Sequence, residues 1–172
     1  MTVVEAKLLA QRLSNIRDKA IAELFDASGI RVGELYGLSK NDINLKDRTA
    51  WVLGKGNKHR LANFSEYGAF LLEQVIIKLA PGNGPVFVSQ RKGRLSIGGI
   101  QAVITKLGKA AKLGRKLHPH IFRHTFASNL VNKGADLQVV ADELGHEKLK
   151  TAAIYGRVLK PEVLNVYRRC ME

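Results

Sequence analysis

Between Val3 and Ala27 the apolar positions fall at Leu8, Leu9, Leu13, Ile16, Ala20, Ile21, Leu24 and Phe25. That spacing lays them along one face of an α-helix, and Gly29 marks its end. A short second helix is predicted from Arg31 to Leu38, followed by a turn at Ser39–Asp42. The period then changes. Thr49–Leu53 and Arg60–Phe64 read as two short strands, joined by Gly54-Lys55-Gly56-Asn57-Lys58-His59. Gly and Asn tolerate positive φ, which suits a hairpin tip whose side chains project into solvent or toward a ligand.

Helical spacing returns over Glu66–Leu79 and stops at Pro81-Gly82-Asn83-Gly84-Pro85. Val86–Val88 reads as one more strand. Ser96 is placed to cap a helix reaching Ala111. Pro119 stands before a helix over His120–Asn132, with Gly134 as its stop. Asp136 caps Leu137–Leu144, which Gly145 ends, and Lys148–Arg169 is helical with a break near Pro161. The sum is an α+β domain, mostly α-helical, with a small antiparallel β-sheet in the first third.

A chain of 172 residues fits one domain with a real core, and 45% apolar content excludes a disordered chain. Lys and Arg number 28 against 15 Asp and Glu, a formal net charge of +13. A domain this basic meets a polyanion, DNA or RNA foremost, because neutralising phosphates releases counterions. A basic ribosome-associated or merely soluble protein carries similar charge, so charge alone does not choose. Cys170 stands alone, which rules out an intrachain disulfide and suits a reducing compartment. With no paired Cys/His spacing, no metal is expected. Met1–Ala10 shows no signal-peptide pattern, and no apolar run approaches a membrane span.

Several residues carry possible chemistry. Arg31 and Glu34 lie three apart on a predicted helix and share a face; in isolation they read as a surface ion pair. Lys55 at the Gly-rich tip reads, in isolation, as a solvated loop lysine. In His118-Pro-His-Ile-Phe-Arg-His-Thr125, His120 and Arg123 point the same way at a helix start. A helix start favours anions, and Arg adds a planar fork for two phosphate oxygens. His118 and His124 fit capping or packing roles. Tyr155 follows His146 by nine residues, which on one straight helix puts the two on opposite faces. The break at Gly145 is needed if they are to converge. A lone tyrosine is more commonly a half-buried aromatic with an exposed hydroxyl.

Taken in order, Ser28-Gly-Ile-Arg-Val-Gly-Glu-Leu35, Gly54-Lys-Gly-Asn-Lys58, His118-Pro-His-Ile-Phe-Arg-His-Thr-Phe-Ala127, Leu144-Gly-His146 and Thr151-Ala-Ala-Ile-Tyr155 resemble the tyrosine recombinase (phage integrase) family, especially its Xer-like members. The resemblance spans nearly the whole chain. It implies a catalytic domain over residues 1–172 that cleaves and rejoins DNA through a covalent 3′-phosphotyrosyl link, without metal, ATP or other cofactor. By that resemblance Tyr155 is the nucleophile, Arg31 and Arg123 grip the phosphate, Lys55 is the general acid, His120 assists proton transfer, His146 hydrogen-bonds the phosphate, and Glu34 orients the first arginine or its neighbours. It further implies double-stranded DNA as partner, a tetramer on DNA formed through the C-terminal segment, and a cytoplasmic setting for a bacterial, archaeal or phage-encoded protein. Residues 159–172, with Val163, Leu164 and Val166 on one apolar face, either dock on a neighbouring subunit or pack on their own domain.

The chain departs from relatives in two respects. The N-terminal DNA-grasping (core-binding) domain of most relatives is not expected within residues 1–172, which the resemblance then reads as either a fragment or a minimal subgroup. The second strand reads Arg60-Leu-Ala-Asn-Phe64 where relatives often have Val-Pro-Leu, a difference expected to affect packing alone. Two alternatives compete. A non-enzymatic module built on a helix-turn-helix within Asp136–Ile154 would leave Tyr155 incidental. A type IB topoisomerase would relax DNA by the same tyrosine chemistry.

Overall fold

Asn15 opens the first described helix by accepting a hydrogen bond from the Arg17 amide at 2.9 Å, so α1 runs Ile16–Ser28. Its C-cap, Gly29, adopts the left-handed conformation at φ 57°, and its amide returns to the Phe25 carbonyl. The structure, a computed structural model, describes residues 13–54, 59–111 and 116–145. The predicted helical start before residue 13 and the predicted helix beyond residue 147 lie outside the described residues. So do Lys55, His146 and Tyr155.

Helix α2 (Val32–Gly37) follows, then a 3₁₀ turn at Lys40–Asp42. Strands β1 (Ile43–Asn44), β2 (Thr49–Leu53) and β3 (His59–Asn63) form an antiparallel sheet in that order. Ala50 pairs with Ala62 and Val52 with Arg60, so these four share one face of β2 and β3. Ala50, Val52 and Ala62 are buried there, while Trp51 and Leu53 stand half-exposed on the other face.

Ser65 caps α3 (Glu66–Ile76), accepting from the Gly68 amide at 2.9 Å while its hydroxyl donates to Glu23 Oε1 of α1 at 2.6 Å. Ser96 caps α4 (Ile97–Ala110), as its spacing predicts. Pro119 occupies the first turn of α5 (Pro119–Asn132), where its missing N–H has no helical partner to lose. Asp136 caps α6 (Leu137–Leu144), and Gly145 ends it at φ 60°.

Val86–Val88 does not form a strand. Its backbone is tied by single bridges, Pro85 to Ser39 and Val88 to Arg94, and Leu95 donates to Phe87 O at 2.8 Å. Val86 and Phe87 are buried in the main core without a ladder, and an apolar triplet cannot distinguish the two cases.

Helix α1 forms the centre: α3 and α5 pack against it, and α6 packs on α5 and β3. Ile21, Leu24, Phe25, Phe64, Leu71, Leu72 and Phe122 fill the main core, with Phe25 and Phe122 rings 6.2 Å apart. A second cluster, Phe126, Leu130, Ala135, Val140 and Leu144, joins α5 to α6. That small cluster fixes where α6 ends, next to the start of α2. Among the described residues no helix is long and apolar enough to cross a membrane.

Candidate active site

Arg31 is the N-cap of α2, and Glu34 sits three residues on. Glu34 Oε2 accepts from the Arg31 amide at 2.8 Å, and Oε1 accepts from Arg31 Nη1 at 2.8 Å. The pair predicted as a possible surface ion bridge is therefore half-sunk. The Glu34 side chain is 2% exposed and that of Arg31 is 32% exposed, enough to present a face outward. Arg31 Nη2 donates to Gly145 O at 3.1 Å, binding α2 to the end of α6.

Arg123 rises from the first turns of α5, on the face it shares with His120. Its Nη1 donates to Gly29 O at 2.7 Å, and its Nη2 donates to Leu144 O. Carbonyls that terminate α1 and α6 thus hold this guanidinium. Burial, then repulsion from Arg31 and Arg60, lowers the Arg123 pKa to about 10, with Glu34 opposing. It remains a cation at neutral pH.

Arg31, Gly33, Leu53, Gly54, His120 and Arg123 line one cavity of about 430 Å³. His120 is exposed at its rim, with the His118 ring 6.3 Å away, and His124 is exposed. The structure therefore brings together Arg31, Glu34, His120 and Arg123 of the expected set. Lys55, which follows the cavity-lining Gly54 in sequence, lies outside the described residues with His146 and Tyr155. Among the described residues, no group of three or more His, Cys, Asp or Glu could hold a metal ion.

Sequence reasoning missed Arg60, which the second strand had assigned to packing. Arg60 Nη2 donates to Glu34 Oε2 at 2.7 Å and Nε to Oε1 at 3.3 Å, while Nη1 donates to Glu143 O at 2.7 Å. Burial raises the Glu34 carboxyl, but the bonds and charge of Arg60, then the bonds from Arg31, outweigh it and hold Glu34 below its ordinary pKa. A signal was available: Arg60 shares the inward face with Val52 and Ala62, where an arginine demands an acid.

Glu143 was missed as well. It is 3% exposed, and its Oε1 accepts from Asn63 Nδ2 at 2.6 Å. Its Oε2 is buried without a hydrogen-bond partner. Burial pushes its pKa up to about 7, with Asp142 adding, against the Asn63 bond and the Arg60 charge.

Three neighbouring arginines, of which Arg31 and Arg60 bond the Glu34 carboxylate, leave a net positive cleft. Two of them, Arg31 and Arg123, open onto a cavity beside a helix start, which is suited to gripping a phosphate. The model of the phage integrase family matches residues 1–162. The chain is 38% identical over 160 residues to tyrosine recombinase XerC of Thermodesulfovibrio yellowstonii, covering 88% of this chain and 53% of that protein. It is 44% identical over 154 residues to tyrosine recombinase XerC of Pseudomonas fluorescens, covering 88% and 51% respectively. It thus spans about half the length of these relatives. Among solved structures it is similar to XerA recombinase, with TM-score 0.80, 31% identity, and coverage of 98% of this chain and 64% of that one.

Proposed function

We propose, from the premise that this chain belongs to the phage integrase family of tyrosine recombinases, that it carries the catalytic centre of a site-specific DNA recombinase. The observation that carries the proposal is the meeting of Arg31 and Arg123, far apart in sequence, in one cavity with His120 at its rim. A phosphodiester under attack spreads negative charge over its non-bridging oxygens, and preorganised guanidinium groups stabilise that charge. The formal charge of +13 supports double-stranded DNA as the partner.

In the proposed reaction the Tyr155 phenolic oxygen forms a bond to phosphorus as the bond from phosphorus to the 5′-oxygen breaks. The product is a 3′-phosphotyrosyl link and a free 5′-hydroxyl. The phenol, with an ordinary pKa of about 10, gives up its proton during attack, assisted by His120 and the neighbouring cations. Lys55 supplies the proton to the departing 5′-oxygen, and His146 hydrogen-bonds the phosphate. Glu34 holds Arg31. Attack by another 5′-hydroxyl reverses the steps on a new strand without ATP. The recombinase works as a tetramer on DNA in the cytoplasm, with residues 159–172 joining subunits. A non-enzymatic binding module would give no purpose to two arginines preorganised around one cavity.

The test is incubation with a nicked suicide duplex carrying a site selected from a random pool by binding to this protein. The wild type is expected to yield a protein–DNA adduct stable to denaturing electrophoresis, and Tyr155→Phe none. An adduct that persists in Tyr155→Phe removes Tyr155 as nucleophile. Binding without any adduct replaces the enzyme with a binding module.

A further inference from the structure

We propose that Arg60 is a positioning residue of the recombination centre: one guanidinium that locks the carboxylate holding Arg31 to the helix end holding both phosphate-binding arginines. The inference rests on the recombinase reading, and it concerns a residue that does not itself line the cavity.

Arg60 faces inward on β3, opposite Val52. Its side chain is 11% exposed, against 32% for Arg31. A guanidinium offers five N–H donors on three nitrogens. Here each nitrogen already has an acceptor: Nε on Glu34 Oε1, Nη2 on Glu34 Oε2, and Nη1 on Glu143 O, with Leu61 O at 3.4 Å. Arg60 therefore has little to offer a phosphate. Arg31 and Arg123 use their terminal nitrogens on protein acceptors yet still present a face to the cavity.

The partners of Arg60 explain its effect. Glu34 touches Arg31 through both its amide and its guanidinium, so fixing Glu34 fixes Arg31. The carbonyl of Glu143 begins a run of three at the end of α6. Glu143 O takes Arg60, Leu144 O takes Arg123, and Gly145 O takes Arg31. The Arg60 stem also lies directly under Gly145, where an added Cβ would come within 2.8 Å of Arg60 Cδ. Arg60 thus sets both the height and the orientation of the turn that clamps the other two arginines. Lysine could supply the charge but has no planar fork to span Glu34 and Glu143 O together.

The experiment measures single-turnover adduct formation and equilibrium DNA affinity on the selected suicide duplex, for wild type, Arg60→Lys, Arg60→Met, Glu34→Gln and Arg60→Met/Glu34→Gln. Arg60→Lys is expected to slow the adduct rate by at least about tenfold while affinity stays within about twofold. The double variant is expected to be no slower than its slower parent, because both substitutions break one linkage. A role in folding alone would lower the final adduct yield but leave the rate per active molecule unchanged, and that result overturns the proposal. Loss of affinity in proportion to rate also overturns it, since Arg60 would then contact DNA. Should Arg60→Met fail to fold, Arg60→Lys and its combination with Glu34→Gln carry the same comparison. Absence of any adduct with the wild type defeats the recombinase reading itself, a result distinct from a normal wild type with an unimpaired Arg60→Lys.

Discussion

Arg123 Nη1 donates to the carbonyl oxygen of Gly29, the residue that ends α1, at 2.7 Å. The same device recurs where Arg31 Nη2 meets the carbonyl of Gly145, the residue that ends α6. Both glycines are left-handed, and both sit where a side chain would collide. The arginine geometry is therefore set by the path of the main chain at two helix ends.

At Gly29 an added Cβ would lie 2.6 Å from Phe126 Cδ1 and 3.0 Å from Leu144 Cδ2, at φ +57°. Strain and overpacking together make Gly29→Ala destabilising by about 3 kcal/mol. The thermal midpoint is expected to fall by roughly 6–12 °C. An unchanged melting curve would show that the α1–α5–α6 junction yields more easily than this packing implies.

Glu34→Gln removes the charge that both Arg31 and Arg60 face. Breaking a buried pair from one side leaves an uncompensated cation, a loss of about 3–5 kcal/mol. The pKa of Glu34 is depressed in the fold, so its contribution is present above the unfolded carboxylate pKa and disappears as pH falls through the folded value. Denaturant unfolding between pH 7 and pH 3 should therefore show a shallower acid limb in the variant. Parallel limbs would mean that Glu34 is not the group being titrated.

Glu143 behaves in the opposite sense. Its pKa is raised to about 7 from 4.5, so the folded state binds more protons than the unfolded state between those values. Its contribution makes stability fall as pH rises across that window and level off above about 7. Glu143→Gln keeps an acceptor for Asn63 and carries no charge. The variant should gain on the order of 2–3 kcal/mol over wild type at pH 8 and little at pH 4.5. Equal differences at the two pH values would contradict a buried neutral acid.

Arg123→Lys retains a cation but loses the fork shared between Gly29 O, Leu144 O and the cavity. Adduct formation on the suicide duplex should slow by about 100-fold or more, with DNA affinity little changed. A rate within a few-fold of wild type would place the phosphate elsewhere.

How far these features were legible depends on their range. Ser96, Asp136, Gly134 and Gly145 announced their helix ends correctly because caps and stops act over a few residues. Thr49–Leu53 was bounded to the residue by the loss of helical spacing and the Gly-rich tip that follows it. His120 and Arg123 were singled out by their shared face at a helix start, Arg31 and Glu34 through the resemblance, and the structure brings the four side chains to one cavity. Arg60 and Glu143 were not found because their meaning lies in a contact between β3 and α6 that no local pattern encodes. Val86–Val88 failed for a related reason: tertiary burial, not a ladder, makes it apolar.

The acceptors that complete the arginine pair, Leu144 O and Gly145 O, come late in the chain. Synthesis runs from the N-terminus, so Arg31 and Arg123 both leave the ribosome before the turn that gathers them. A nascent or prematurely terminated chain ending before residue 144 contains the Glu34 and Gly29 acceptors but lacks the second acceptor of each arginine. The order of translation thereby makes the turn at Leu144 and Gly145 the last described piece to fall into place around the two arginines.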